Sequence, residues 1–194
     1  FSNAPRAYAI SSGAVLNLDG DMAFATGTTT LGGTGTLRLT GGTLANAIGP
    51  GRNLNFALGS GAIIDLQAGA AIINGGWQTM TWTSNQADLI VNGTLDIWDG
   101  QAVFADALTG SGSITKTHGG NSPTMLTVGV DHGSGTFSGN ITNAAGQIAF
   151  TKQGTGTQIL TGTNTYRGTT TINAGTWQIG DGGTTGTLGT GPVT

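Results

Sequence analysis

The 194-residue sequence predicts an all-β chain wound as a right-handed single-stranded parallel β-helix, a solenoid of about eight coils stacked on one another. Three observations carry that expectation. Charged residues make up 8% of the chain, all nine acidic residues are Asp, and Lys and Arg together number six. Glu, Lys and Arg ordinarily clothe the exposed faces of helices, so their scarcity disfavours helix. Thr suits a pleated strand, whereas Asn, Asp and the 37 glycines suit tight turns. The second observation is a recurring unit of Gly, a small residue and a short apolar run. It starts at positions 13, 35, 61, 93, 112, 135, 156 and 175, in steps of 22, 26, 32, 19, 23, 21 and 19 residues. The third is that apolar and polar residues alternate within the units, as in a strand with one face in a core and one in water.

Along the chain the series opens with Gly13-Ala14-Val15-Leu16 and continues with Gly35-Thr36-Leu37-Arg38-Leu39. Gly61-Ala62-Ile63-Ile64 follows, with a further copy at Gly69-Ala70 and an irregular stretch around Trp77. Gly93-Thr94-Leu95-Asp96-Ile97, Gly112-Ser113-Ile114 and Gly135-Thr136-Phe137 come next, and Gly156-Thr157 and Gly175-Thr176-Trp177-Gln178-Ile179 close it. One coil cannot bury its own apolar face, but stacked coils share a continuous core at a strand spacing of roughly 4.8 Å. Eight of them form a rod on the order of 40 Å long. An antiparallel sandwich is the rival, since turn pairs such as Asn92-Gly93 and Asp99-Gly100 occur. A repeat near about 20 residues is better explained by a coil of two or three strands. Gly189 to Thr194 reads as the opening of another coil, so residues 1–194 are expected to be one uncapped segment of a longer solenoid.

The same composition excludes several classes. A net charge of −3 with 37% hydrophobic residues is unlike a disordered chain. Mild acidity argues against nucleic acid, which needs a basic stripe. No apolar stretch is long enough for a membrane-spanning helix, so membrane insertion by this segment is not expected. Phe1 begins no signal-like sequence, and without Cys no disulfide supports the fold.

Convergent chemistry is sparse. Ser122, His132 and Asp131 could be assembled into a hydrolase triad, but adjacent Asp and His on a strand point to opposite faces, and no Gly-x-Ser-x-Gly surrounds Ser122. His118, on a Gly-rich turn, reads as solvated. Among carboxylates, Asp96 and Asp99 are three apart and face opposite sides of a regular strand. Asp19 and Asp21, with Arg38 one coil later, are the best lyase-like set, yet they lack a third carboxylate. Gly180-Asp181-Gly182-Gly183 occurs once, without the tandem copies a calcium repeat requires, and two distant His without Cys do not make a zinc site. No catalytic, metal or cofactor residue is therefore assigned. Trp77 and Trp82 fall on opposite parity, so one is expected to point outward unless a bulge or loop turns both into the core, and Trp98 opposes Ile97. Trp77, Trp82 and Trp98 are the residues nominated for surface contact.

Residues 152–180 carry the most specific pattern. Lys152, Gly154, Gly156, Leu160, Gly162, Asn164, Tyr166, Gly168, Thr170, Ile172 and Gly175 stand in an order and spacing that resembles the autotransporter-associated β-strand repeat, also called the passenger-associated transport repeat. Gln158 stands where that pattern usually has an apolar residue and Trp177 where it has Leu. The stretch from Gly133 to Ile141 is also similar to a common coil of such passengers. The resemblance implies a Gram-negative protein with a leader, a secreted passenger and an outer-membrane barrel downstream, the repeat being associated with passenger folding and secretion. On that footing the segment is expected to be a non-enzymatic stalk or adhesin at the cell surface or outside the cell. Its expected partners are a host surface protein, a glycan or other copies of itself. A self-associating filament and a β-helix polysaccharide lyase or hydrolase are the alternatives. Leu160 and Ile172 are expected in the core.

Overall fold

The computed structural model describes residues 5–22, 26–45, 52–75, 80–98, 101–120 and 123–194. Each Gly-punctuated unit becomes one coil of short strands. The first coil holds β1 (Arg6–Ile10) and β2 (Val15–Leu18); the second β3 (Gly27–Gly33), β4 (Thr36–Leu39) and β5 (Thr43–Ala45); the third β6 (Arg52–Leu58), β7 (Ile63–Leu66) and β8 (Ala71–Ile73). The fourth holds β9 (Met80–Thr81), β10 (Asp88–Val91) and β11 (Thr94–Asp96), and the fifth β12 (Val103–Ala105), β13 (Leu108–Thr109) and β14 (Ser113–Thr115). The sixth holds β15 (Thr124–Val128), β16 (Gly135–Phe137) and β17 (Asn140–Ile141), the seventh β18 (Ile148–Lys152) and β19 (Thr157–Leu160), and the eighth β20 (Thr170–Ile172) and β21 (Thr176–Ile179). Every strand pairs in parallel with its counterpart one coil away, so the fold is a parallel β-solenoid of about seven turns.

Three faces result. One is formed by β1-β3-β6-β9 and, after a break, β12-β15-β18-β20; the second by β2-β4-β7-β10-β13, continued by β16-β19-β21; the third by β5-β8-β11-β14-β17. The period-two alternation sets which side chains enter the interior. On the second face Leu37, Ile64, Leu89 and Leu108 stack in register, all 0% exposed. On the third, Leu44, Ile72, Leu95, Ile114 and Ile141 do the same. One contiguous apolar column thus runs up the axis, and each coil completes the burial of the coil beneath it.

Two expectations are corrected by this packing. Trp82 is not a surface contact: it is fully buried. It lies two residues beyond the inward-facing Met80 and so shares its parity, entering the core where its indole stacks on Phe56 at 4.0 Å. Its Nε1 donates to Asn74 Oδ1 at 2.9 Å, so the polar end of the ring is satisfied inside the solenoid. Ile172 continues the inward column of Val128 and Lys152 but is 37% exposed rather than buried. It pairs with Lys152 below, while Val193 above forms only an isolated bridge to Thr170, so little covers it. Trp77 lies outside the described residues.

Trp82→Ala is expected to cost about 3–5 kcal/mol, because it empties a large buried volume and leaves Asn74 Oδ1 without its partner. Urea midpoints should show Ile172→Ala as much milder; equal losses for the two would sink the core assignment.

Candidate functional site

The corners between strands are where polar chemistry gathers. A bend leaves backbone N–H groups without a ladder partner, and a short acceptor side chain on the neighbouring coil can take them. Asp21 accepts from the N–H of Thr43 at 2.8 Å, and Asp88 from Ala107 at 3.0 Å. Asp106 takes the N–H groups of Asp131 and Gly133, both at 2.7 Å. Asn92 receives Ser111 N–H, Ser134 Thr157 N–H and Asn140 Thr163 N–H. Each partner lies 19 to 27 residues away, one coil along. Aspartate and asparagine here clip one coil to the next.

The groups considered for catalysis fall into this scheme. Arg38 pairs with Asp65 on the following coil at 2.8 Å, instead of joining Asp19 and Asp21. Asp96 accepts from the N–H of Trp98 at 2.9 Å and of Thr117 at 3.1 Å, and from the Thr117 hydroxyl. His132, in a left-handed conformation with φ 71°, accepts the Thr155 N–H on Nδ1 at 3.1 Å. Asp99 and Ser122 lie outside the described residues. Among the described residues no cluster of three or more His, Asp or Glu side chains is placed to hold a metal ion, and no helix is long and apolar enough to cross a membrane.

Trp98 is half-buried in a turn just past the end of β11, where a left-handed backbone, not strand alternation, sets its direction. Its ring stacks on His118 with centroids 5.1 Å apart and planes at 25°. The Trp98 backbone is left-handed, φ 46°, which is uncommon for a bulky residue, and its carbonyl is held by the fully buried ammonium of Lys116, which also donates to Gly120 O at 2.7 Å. His118 in turn accepts Gly120 N–H on Nδ1 at 3.1 Å. The two rings lie on neighbouring coils, but β11 and β14 pair with an offset of 19 residues, so Trp98 and His118 stand one residue out of strict register and alignment of the units alone does not reveal the pair.

The repeat residues divide into fillers, clips and spacers. Leu160 is fully buried between Phe137 below and Ile179 above. Tyr166 is fully buried against Phe150 at 5.8 Å, with its hydroxyl 2.8 Å from Thr170 Oγ1, and burial raises its pKa. Asn164 ties three coils: its Oδ1 accepts Ile141 N–H at 3.0 Å, and its Nδ2 donates to Thr187 O at 2.8 Å and Gly162 O at 3.2 Å. Lys152 is fully buried and donates to the Gln153 and Gly154 carbonyls; burial pushes its pKa down, against a smaller upward pull from Asp106. Gln158, the departure from the apolar pattern, finds a buried role. Its Oε1 accepts Leu108 N–H at 3.2 Å and its Nε2 donates to Leu108 O at 2.9 Å, two coils below. At Gly162 a Cβ would collide with the Gly139 carbonyl, so the position requires glycine for close approach.

The geometry defines a parallel β-solenoid, and residues 150–179 match the family described as Passenger-associated-transport-repeat, so this stretch is an autotransporter passenger repeat. A protein to which the chain is similar is the "Adhesin BmaC autotransporter" of Brucella suis biovar 1 (strain 1330), 37% identical over an alignment of 118 residues that covers 54% of this chain. The chain spans only 4% of that relative's length. No solved structure matches.

Gly162→Ala should lower stability by about 3 kcal/mol or more, whereas Gly183→Ala, which meets no backbone, should stay within about 0.5 kcal/mol. Chemical denaturation of both checks this.

Asp88 provides a second expectation. Burial raises its pKa, the Ala107 N–H lowers it and Asp106 raises it, with a net upward direction. The folded chain therefore holds this proton more firmly than the unfolded one. That stabilisation is fully present below the ordinary value of 3.8 and is lost as pH rises through the raised folded value. Asp88→Asn keeps the acceptor without the charge, so it should melt about 1–3 °C higher at neutral pH, with the gap closing in acid.

Proposed function

We propose that the chain is part of the displayed passenger of a bacterial autotransporter adhesin, extracellular or at the cell surface, and not an enzyme. The observation that carries this reading is the passenger-associated repeat set within a continuous β-solenoid, and the likeness to an adhesin autotransporter supports it. The engagement of Asp21, Asp88 and Asp106 as clips between coils favours a scaffold over acid–base chemistry. A ladder of backbone hydrogen bonds makes the segment stiff, and its corners and outer faces are the surface offered to a host protein, a glycan or another copy. Trp98 with His118 is the aromatic patch we assign to such contact.

In the same reading the repeat assists passenger folding and export. Each coil that emerges finds a finished apolar face to stack upon, so folding outside the cell draws the chain outward. The 150–179 repeat provides a well-filled platform for that step, with Leu160, Tyr166 and Phe150 buried together.

The test is to display residues 1–194 on a heterologous outer-membrane barrel in a Gram-negative host and to measure protease accessibility and adherence to epithelial cells. Surface exposure with adherence above that of the bare barrel is expected, and Trp98→Ala should reduce adherence without reducing display. Display without adherence would sink the adhesin reading. Aggregation of the displaying cells with each other would instead favour self-association.

A further inference from the structure

On the first face the sheet is interrupted between the fourth and fifth coils: β9 has two residues and does not pair with β12. The chain leaves β9 through Trp82, which dives into the core, and then runs through Thr83, Ser84, Asn85 and Gln86 along the outer corner. Above the interruption opens a cleft of about 420 Å³. It is lined by the hydroxyl residues Thr83 and Ser84, the amides Asn85, Gln86 and Gln153, and the apolar side chains of Phe104 and Val130. These come from the fourth, fifth, sixth and seventh coils, so the cleft runs along the solenoid axis for roughly 14 Å, three strand spacings.

Asn85 is the informative wall residue. It is 2% exposed, and its Nδ2 donates to Phe104 O at 2.9 Å, bridging the gap that the missing strand pairing leaves. Its Oδ1 is buried and has no hydrogen-bond partner. An acceptor withdrawn from solvent and left unmet is uncommon in a folded protein, and a ligand donor reaching it would remove that cost. The lining carries no charged side chain. A phosphate, a carboxylate or a cation would enter without a counter-charge, which disfavours all three. Hydroxyls and amides both donate and accept, and so match a ligand bearing many hydroxyls. Phe104 is half-buried and offers a ring to an apolar face, the combination of flat apolar surface and convergent polar groups typical of small-ligand sites.

We propose that this cleft binds a neutral glycan, an uncharged sugar segment lying along the solenoid axis. One sugar hydroxyl donates to Asn85 Oδ1, the apolar face of a ring packs on Phe104, and Gln153 meets the far end. The assignment rests on the surface-display reading only for the origin of the glycan; the chemistry of the cleft stands without it.

The experiment uses the purified 194-residue chain with maltose, lactose and chitobiose as neutral probes and galacturonate as the anionic one. Saturation-transfer NMR is expected to show contact with at least one neutral disaccharide and none with galacturonate. Gln153→Ala should weaken binding about tenfold while the melting temperature holds, and Phe104→Ala should weaken it as much with a lower melting temperature, because its ring also packs against the core. Asn85→Leu should abolish binding, and its thermal melt reports whether the corner still folds; the two milder variants decide the matter if it does not. Absence of binding to every neutral probe at millimolar concentration overturns the proposal, as do equal binding of galacturonate and binding indifferent to both milder variants. Retained cell adherence in that event would leave the display reading intact and locate its contact elsewhere, whereas sugar binding without adherence would keep the cleft and remove the adhesin role.

Discussion

The structure depends on closing a parallel backbone ladder around corners. Each coil must present its N–H and C=O groups to the coil above at the same height on three faces, and the corners between faces have no regular ladder to satisfy them. Small residues let the corners approach, and short acceptor side chains replace the missing backbone partners. The composition follows from that constraint. Glycine is abundant because many corners touch a carbonyl of the preceding coil, and Asp serves where Glu would reach too far to cap a bend one coil away.

The interior answers to a different rule. The apolar column is continuous, but it is not purely apolar: Asn74, Lys116, Lys152, Gln158 and Asn164 are all within 2% of full burial. Each has partners, and each acts where the coil spacing or the face changes. Asn74 holds Trp82 beside an irregular stretch and reaches Gln101 O, while Lys116 gathers carbonyls around the left-handed turn at Trp98. A uniform apolar core would leave the backbone of those irregular corners unsatisfied. Buried polar side chains in this solenoid thus mark where the regular coil departs from itself.

Much of this is legible in the sequence, for a physical reason. Parallel stacking places equivalent residues about one coil apart, so spacing and alternation together reveal Leu37, Leu95 and Leu160 as interior and the Gly positions as corners. The repeat is legible for the same reason, because its residues are constrained by stacking at closely spaced points: Gly162 by a carbonyl, Tyr166 and Leu160 by the core, Asn164 by three coils. Parity leaves open which of Trp77 and Trp82 turns outward, and the inward-facing Met80, two residues before Trp82, is what places Trp82 in the core. Spacing places Ile172 on the inward column of Val128 and Lys152, and its partial exposure reflects how little of the next coil lies over it in this segment. The cleft is invisible in the sequence: Asn85, Phe104, Val130 and Gln153 have no common motif, and only the coil registers bring them together.

Gln158 carries an implication for how the solenoid comes apart. In a simple stack each coil touches only its neighbours, and unfolding can pause after any one of them. Here the Gln158 amide occupies both backbone groups of Leu108, fifty residues earlier, passing over the intervening coil where Gly135 stands in register. The fifth and seventh coils are therefore joined directly, and peeling the seventh exposes two buried backbone groups in the fifth. Loss of the seventh coil thus carries a cost in the fifth, so the region from Leu108 to Leu160 is expected to unfold as one block.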